Sequence, residues 1–221
     1  MANLTHAHII LAGGRSRRLR TADKSQLIFR GQTLLEHAVA AGGAACHQVA
    51  VGPLDLPIPG VRVVREDPPF GGPVAGIAAG AKELVRTGCD AEWVLITACD
   101  HPYAEAAARA LVESVSASLS ADSPSGSVDK DADLITPTDS GGHDQILFAL
   151  YRRAALSDAL AAHGGGHDLS VRALIAGLRP TSITLPDGLL GDIDDAAAAR
   201  RHGIEVPDDP RRPGESRESG Q

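Results

Sequence analysis

Short apolar segments alternate with amphipathic segments along most of this chain of 221 residues. The apolar segments predict seven β-strands, at His8–Ala12, Gln48–Gly52, Val61–Arg65, Trp93–Cys99, Asp133–Pro137, Ile146–Tyr151 and Ser182–Leu185. Residues 93–96 are all apolar, which is typical of a strand buried on both faces. The pattern therefore predicts an α/β fold of three layers, with helices on both faces of a mainly parallel, mixed sheet.

Apolar residues with helical spacing occupy several of the intervening segments. They predict helices at Leu34–Val39, Val74–Val85 and Leu111–Leu119. Residues 119–132 become rich in serine, aspartate and glycine, which predicts a mobile surface insert. Residues 207–221 are charged and contain several prolines, which predicts a disordered tail after a single domain over residues 1–206.

Composition narrows the classes of function. The net charge of −7 and an aromatic content of 3% argue against a nucleic-acid-binding protein. The three cysteines form no C-x-x-C pair, which is typical of free thiols in a reducing compartment. The sequence shows neither a signal-peptide pattern nor an apolar run of about 20 residues, so we expect a cytoplasmic protein that does not bind membranes.

The most informative stretch directly follows the first predicted strand. It opens with Leu11, Ala12, Gly13 and Gly14, and positions 15–30 carry six basic side chains against one acidic side chain. Paired glycines let backbone amides approach a ligand closely, and ligands of open α/β sheets bind beyond the carboxyl ends of the strands. The loop therefore predicts a site for a triphosphate. The alternative is a glycine turn followed by a solvated basic loop.

A second loop, rich in glycine and proline, runs from Asp67 to Gly76 and includes Gly72 and Pro73. The helix predicted from Val74 would begin beside the first loop, where its N-terminal amides could bind an anion. The alternative is an ordinary connection between a strand and a helix.

Asp100 directly follows the most apolar of the predicted strands. A carboxylate at the carboxyl end of a buried strand is well placed to bind a metal. Mg²⁺ needs only one or two carboxylates when phosphate oxygens supply other ligands. The alternative is that Asp100 caps a helix that begins near Pro102.

Together these motifs resemble the signature of the molybdenum cofactor guanylyltransferases, MobA-like NTP transferases of the GT-A-like nucleotidyltransferase fold. The first loop is similar to their L-A-G-G-x-S-x-R-M-G-x-x-D-K, with Arg20 in place of the glycine after Arg-Met. The second loop resembles D-x-x-x-x-x-G-P-L-A-G-I, and Cys99–Pro102 matches C-D-x-P. Gly191–Asp195 lies where the family has N-x-N-T-P-E-D-L or D-x-D-T-P-E-D-L, without the T-P-E-D part.

The resemblance implies a role for each motif. Arg18 and Lys24 would hold the phosphates and, with Asp100, form the catalytic set. Asp100 and Asp194 would bind Mg²⁺, although Asp192 could replace Asp194 there, and Asp192 or Asp195 could instead cap the next helix. The implied nucleotide-binding residues are Leu11, Ala12, Gly13, Gly14, Arg18, Lys24, Asp67, Gly72, Pro73 and Asp100.

The implied reaction is transfer of GMP from GTP to the phosphate of molybdopterin, with release of pyrophosphate. Two alternatives stay open. The chain could be a cytidylyltransferase, or another NTP transferase that acts on a different small phosphorylated acceptor. It could also be a nucleotide-binding regulator without turnover. No pattern in the sequence indicates an oligomeric state.

Overall fold

A seven-stranded sheet forms the centre of the computed structural model, which describes residues 4–13, 24–54, 57–120, 128–139, 141–164, 166–204 and 206. The strands are β1 (His6–Leu11), β2 (Ile28–Phe29), β3 (Gln32–Thr33), β4 (Gln48–Val51), β5 (Arg62–Val64), β6 (Trp93–Ala98), β7 (Leu134–Thr138), β8 (Ala149–Arg152) and β9 (Pro180–Thr184). Seven of these strands form the sheet, in the order β5-β4-β1-β6-β8-β7-β9, while β2 and β3 form a separate antiparallel hairpin. Within the seven-stranded sheet only β8 runs antiparallel to its neighbours, so the predicted mainly parallel mixed sheet is confirmed.

Helices cover both faces of this sheet. The helices are α1 (Leu34–Ala40), α2 (Pro73–Arg86), α3 (Ala104–Ser120), α4 (Arg153–Ala162), α5 (Val171–Ile175) and α6 (Ala196–Arg201). Ile9 in β1 packs in one core cluster with residues of α2, α4 and α5, whereas Leu95 in β6 packs with α3 on the other face. Ile10 in β1 packs with α1 in a further cluster. The predicted three-layer α/β architecture is therefore confirmed.

A smaller hydrophobic cluster lies apart from the two faces of the sheet. Its buried members come from two distant parts of the chain: Leu27, Phe29 and Leu34 from one, and Ile193, Ala199 and Ile204 from the other. We call it the satellite core. It joins the hairpin β2–β3 and the start of α1 to the segment around α6.

The chain order places the carboxyl ends of three strands at one edge of the sheet. β1 pairs in parallel with β4 on one side and with β6 on the other. The chain leaves β1 towards β4 and β5 and then returns to the opposite side of β1 with β6. Such a reversal of strand order opens a crevice beyond the strand ends, which is where ligands of these folds bind.

The seven predicted strands are all present, with ends that differ by a few residues. The hairpin β2–β3 was not predicted. Within the predicted insert 119–132, Val128 and Ala132 are buried in the core, while residues 121–127 lie outside the described residues, as does the predicted tail 207–221. Among the helices described, none combines the length and the apolar character required to cross a bilayer.

Candidate functional site

A cleft of about 460 Å³ opens at the carboxyl edge of the sheet. Its floor comes from the ends of β1, β4 and β6, and one wall is the first turn of α2. The lining residues are Leu11, Gly13, Val51, Glu66, Phe70, Gly72, Pro73, Gly76, Ala98, Asp100 and Leu147. The structure therefore brings together residues from all three loops in which the sequence predicted a ligand site.

The first turn of α2 offers backbone N–H groups to the cleft. Gly72 is the N-cap residue with φ of +89°, a conformation that favours glycine, and Pro73 occupies the first turn. No side chain caps this helix end by a hydrogen bond. The helix has 14 residues, so its N-terminus carries the partial positive charge that attracts phosphate groups.

The loop after β1 lies close against the loop after β4. The backbone N–H of Ala12 donates to the carbonyl oxygen of Val51 at 2.8 Å. A Cβ atom on Gly52 would lie 2.8 Å from backbone atoms of Ala12 and Gly13, so only glycine allows this approach. Gly14 and Arg18, which the sequence also assigned to this loop, lie outside the described residues.

Asp100 and Asp194 meet at the same edge although they are far apart in sequence. The cause is a backbone hydrogen bond of 2.8 Å, in which Ile193 N–H donates to the carbonyl oxygen of Asp100. Ile193 is fully buried in the satellite core and anchors the segment that carries Asp194. The ammonium group of Lys24 lies between the two carboxylates, 3.3 Å from Asp194 Oδ1 and 3.8 Å from Asp100 Oδ2.

Asp192 adds a third carboxylate beside Asp100 and Asp194, and the three charges interact. Partial burial raises the pKa of Asp192, and the carboxylates of Asp194 and Asp100 raise it further. Within the described residues, the buried Oδ1 atom of Asp100 has no hydrogen-bond partner. The His101 Nε2 atom lies 3.6 Å from this oxygen. A buried carboxylate oxygen that accepts no hydrogen bond suits a hard cation such as Mg²⁺, and the carboxylates of Asp192 and Asp194 lie nearby.

Two of the alternative capping roles are now resolved. Asp195 is the N-cap of α6, where its side chain accepts from Ala198 N–H at 2.7 Å. Helix α3 begins only at Ala104, whose N–H donates to the carbonyl oxygen of His101, while the Asp100 side chain faces Lys24. Asp195 therefore caps a helix, whereas Asp100 belongs with Asp192 and Asp194 to a group of carboxylates that we call the acidic edge.

The sequence-based assignment did not include six residues that line the cleft, namely Val51, Glu66, Phe70, Gly76, Ala98 and Leu147. Phe70 is 60% exposed and has a φ of +66°, and its N–H donates to Glu66 Oε1 at 3.1 Å. An aromatic residue inside a glycine- and proline-rich loop was the available signal for it. Asp67, which the family resemblance implied to be a nucleotide-binding residue, is exposed beside Glu66 and is not among the described lining residues.

Comparison with known proteins identifies the family. A family model described as the MobA-like NTP transferase domain matches residues 8–181. A molybdenum cofactor guanylyltransferase of Bradyrhizobium sp. is 30% identical over 148 residues, which are 65% of this chain and 64% of the relative. Across the first three curated relatives, the matched region spans 48% to 64% of the relative's length.

Solved structures agree on the fold. The molybdopterin-guanine dinucleotide biosynthesis protein A from Archaeoglobus fulgidus matches with a TM-score of 0.58 and 16% identity, over 89% of this chain and 96% of that chain. The 2-C-methyl-D-erythritol 4-phosphate cytidylyltransferase from Thermus thermophilus matches with a TM-score of 0.57 and 17% identity, over 90% of this chain and 97% of that chain. The resemblance found in the sequence is thus confirmed at the level of the family, and the chain belongs to the MobA-like NTP transferase domain family.

Proposed function

We propose that this protein is a magnesium-dependent nucleotidyltransferase that transfers GMP from GTP to the phosphate of molybdopterin and releases pyrophosphate. The observation that carries the proposal is the meeting of Lys24, Asp100 and Asp194 at the edge of a cleft. The choice of guanine and of molybdopterin rests on the names of the curated relatives.

Each part of the cleft suits one part of an NTP. The amides of the first turn of α2 and the ammonium group of Lys24 provide positive charge for the phosphates. Arg18 adds to this charge by resemblance to the family. Asp100 and Asp194 would hold Mg²⁺, which, when bound, neutralises negative charge on the phosphates. The apolar part of the cleft, with the exposed ring of Phe70, leaves room for the base.

The chemistry needs little more than positioning. A phosphate oxygen of the acceptor attacks the α-phosphorus of the NTP, and a new P–O bond forms. The bond between the α-phosphorus and the bridging oxygen breaks, and its electron pair leaves with pyrophosphate. The attacking oxygen is already anionic, so no strong general base is required. Lys24 and the α2 amides stabilise the charge that builds up during transfer.

The decisive experiment measures pyrophosphate release with Mg²⁺, GTP and molybdopterin. We expect turnover by the wild-type chain and a loss of about 100-fold or more in Asp100→Asn, since an electrostatic group of the site is removed. Asp194→Asn should lose less, because the family motif also has Asn there and the Asp194 side chain is more exposed than that of Asp100. Asp158→Asn, an exposed acid in α4, is the matched control and should retain full activity. Near-normal Mg²⁺-dependent turnover in Asp100→Asn would refute the assignment.

Thermal shifts with GTP, CTP, ATP and UTP, each with Mg²⁺, separate the alternatives. A nucleotide that binds the folded state raises the melting temperature, so the largest shift identifies the base. A shift for CTP alone would favour a cytidylyltransferase. Stabilisation by a nucleotide without pyrophosphate release, across a panel of phosphorylated acceptors, would favour a regulator.

A further inference from the structure

Two cysteines and a histidine meet at the edge of the sheet opposite the cleft. Cys46 and His47 directly precede β4, and Cys89 follows the C-terminal end of α2. One ligand atom from each residue lies within 4.8 Å of the other two. The cysteines form no close pair along the chain, and all three are free thiols, as the sequence predicted. The fold nevertheless brings Cys46 and Cys89 close together, because α2 packs beside β4.

Backbone hydrogen bonds hold all three residues in place. Cys46 N–H donates to the carbonyl oxygen of His6, and His8 N–H donates to the carbonyl oxygen of His47, both at 2.9 Å. Both bonds tie the segment before β4 to the start of β1. The backbone at Cys46 and His47 is therefore anchored before any ion binds, and a site on an anchored backbone loses little entropy on binding.

The end of α2 places Cys89 by a Schellman motif. Gly88 has a φ of +71° and donates its N–H to the carbonyl oxygen of Val85. Cys89 N–H donates to the carbonyl oxygen of Leu84 at 3.0 Å. These are the two bonds of that motif. They turn the chain so that the buried Cys89 thiol faces the exposed Cys46 thiol.

The spacing of the ligand atoms fits a tetrahedral cation. His47 Nδ1 lies 3.5 Å from Cys46 Sγ. With metal–sulfur bonds of about 2.3 Å and metal–nitrogen bonds of about 2.0–2.1 Å, a tetrahedral angle separates the two ligand atoms by about 3.6 Å. Cys46 and His47 are therefore already spaced as two ligands of one ion, and the Cys89 ligand atom lies within 4.8 Å of both.

We propose that Cys46, His47 and Cys89 form a binding site for a borderline-soft divalent cation of the Zn²⁺ class. Two thiolates and an imidazole select such ions over Mg²⁺, which prefers oxygen ligands. On binding, the two thiols release their protons, and the imidazole binds through its neutral nitrogen. The fourth position is open to a water molecule, because Cys46 lies at the surface.

The site is independent of the proposed transferase chemistry, yet the two are joined by α2. The first turn of α2 lines the cleft, and its last turn leads into Cys89. A bound cation would tie the C-terminal end of α2 to the segment before β4. We expect the ion to act as a structural clamp on the helix whose other end faces the nucleotide.

The test is a titration of the reduced full-length chain with Co²⁺, which replaces Zn²⁺ in such sites and reports on its ligands. Thiolate ligation produces a charge-transfer band in the near ultraviolet, which oxygen ligands at the cleft cannot produce. We expect the band to saturate at one equivalent and to disappear when Zn²⁺ is added. Cys46→Ser should lose about half of the band, because one of two thiolates is gone. Loss of a partner outside the ligand shell typically weakens metal affinity by about 10–100-fold. Cys46→Ser removes a ligand itself, so its affinity for Co²⁺ should fall by more than that.

Matched controls come from the same chain. Cys99→Ala removes the third thiol, and His143→Ala removes an exposed histidine elsewhere, so both should retain the band. Asp100→Asn should retain it as well, which separates this site from the transferase proposal. Absence of the band in the reduced chain, or equal intensity in Cys46→Ser, would overturn the proposal. Formation of a Cys46–Cys89 disulfide in air without any band in the reduced chain would also overturn it, in favour of a redox pair.

Discussion

Mild acid should destabilise this fold through a single buried histidine. His8 in β1 is fully buried, and burial lowers its pKa to about 4. Its Nδ1 lies 3.2 Å from Gln48 Oε1, so it carries the proton and donates, while Nε2 accepts from the Thr97 hydroxyl at 2.8 Å. A neutral imidazole thus links β1 to β4 and β6, the three strands that end at the cleft.

The size of the effect follows from the difference in pKa between the two states. Above a pH of about 6.5 the ring is neutral in both the folded and the unfolded chain and contributes no pH dependence. As the pH falls below about 6.5, His8 binds a proton in the unfolded chain, whereas in the folded chain it stays neutral down to about pH 4. The free energy of unfolding should therefore fall by about 1.4 kcal/mol per pH unit, or about 3 kcal/mol over the whole interval. That is a large share of a typical stability of about 5–15 kcal/mol.

Urea unfolding followed by circular dichroism at several pH values between about 7.5 and 4.5 measures this slope. We compare the wild-type chain with His8→Gln, whose amide cannot titrate but can replace one hydrogen bond. The variant should be less stable at neutral pH, and the difference should shrink by about 2–3 kcal/mol at the acid end. His143→Gln, which alters a mostly exposed ring, is the control and should follow the wild type. Parallel curves for the wild type and His8→Gln would refute the reasoning.

Three further substitutions test other features. Asp192→Asn should raise the urea midpoint at neutral pH, because the fold raises the pKa of the Asp192 carboxyl and so disfavours its charged form. This gain should vanish below the ordinary aspartate pKa, and a gain that does not depend on pH would contradict the reasoning. Gly80→Ala should lower the free energy of unfolding, measured with urea, by about 1–3 kcal/mol, because the new Cβ would lie 2.7 Å from Ile9 Cγ2. Helix propensity alone predicts a gain in stability instead, and such a gain would show that α2 can shift. Thr33→Ala should lower the free energy of unfolding by about 1 kcal/mol, because the capping box with Glu36 is lost, whereas Thr33→Ser should retain the capping box. Equal stabilities of the two variants would contradict the capping role of Thr33.

The sheet could be predicted from the sequence because its strands are short, apolar and separated by clear helical patterns. Residues 93–96 are all apolar, which predicts a strand covered on both faces, and the structure buries these residues at the centre of the sheet. The hairpin β2–β3 was missed for a physical reason. Its turn has Arg30 and Gly31 with φ of +50° and +83°. An Asn-Gly pair would have predicted such a left-handed turn, whereas an arginine at the first position does not.

The candidate site could be predicted only as far as each loop carries its own signature. Residues Gly13, Gly72 and Asp100 lie in motifs that directly follow strands, so the strand order was enough to bring them together. The contact of Lys24 with Asp194 depends on a backbone hydrogen bond between distant segments, which no local pattern encodes. The pairing of Cys46 with Cys89 likewise depends on how a helix end packs beside a strand.

The satellite core gives the acidic edge a packing basis of its own. Leu27 follows Lys24 by three residues and Ile193 precedes Asp194, and both are buried in this cluster rather than in the two faces of the sheet. Substitutions that repack the cluster could therefore move the lysine against the carboxylate while the strands keep their register. In evolutionary terms, the placement of charge at the cleft can diverge among relatives without loss of the fold. Selection on catalysis would then constrain which apolar residues occupy the satellite core.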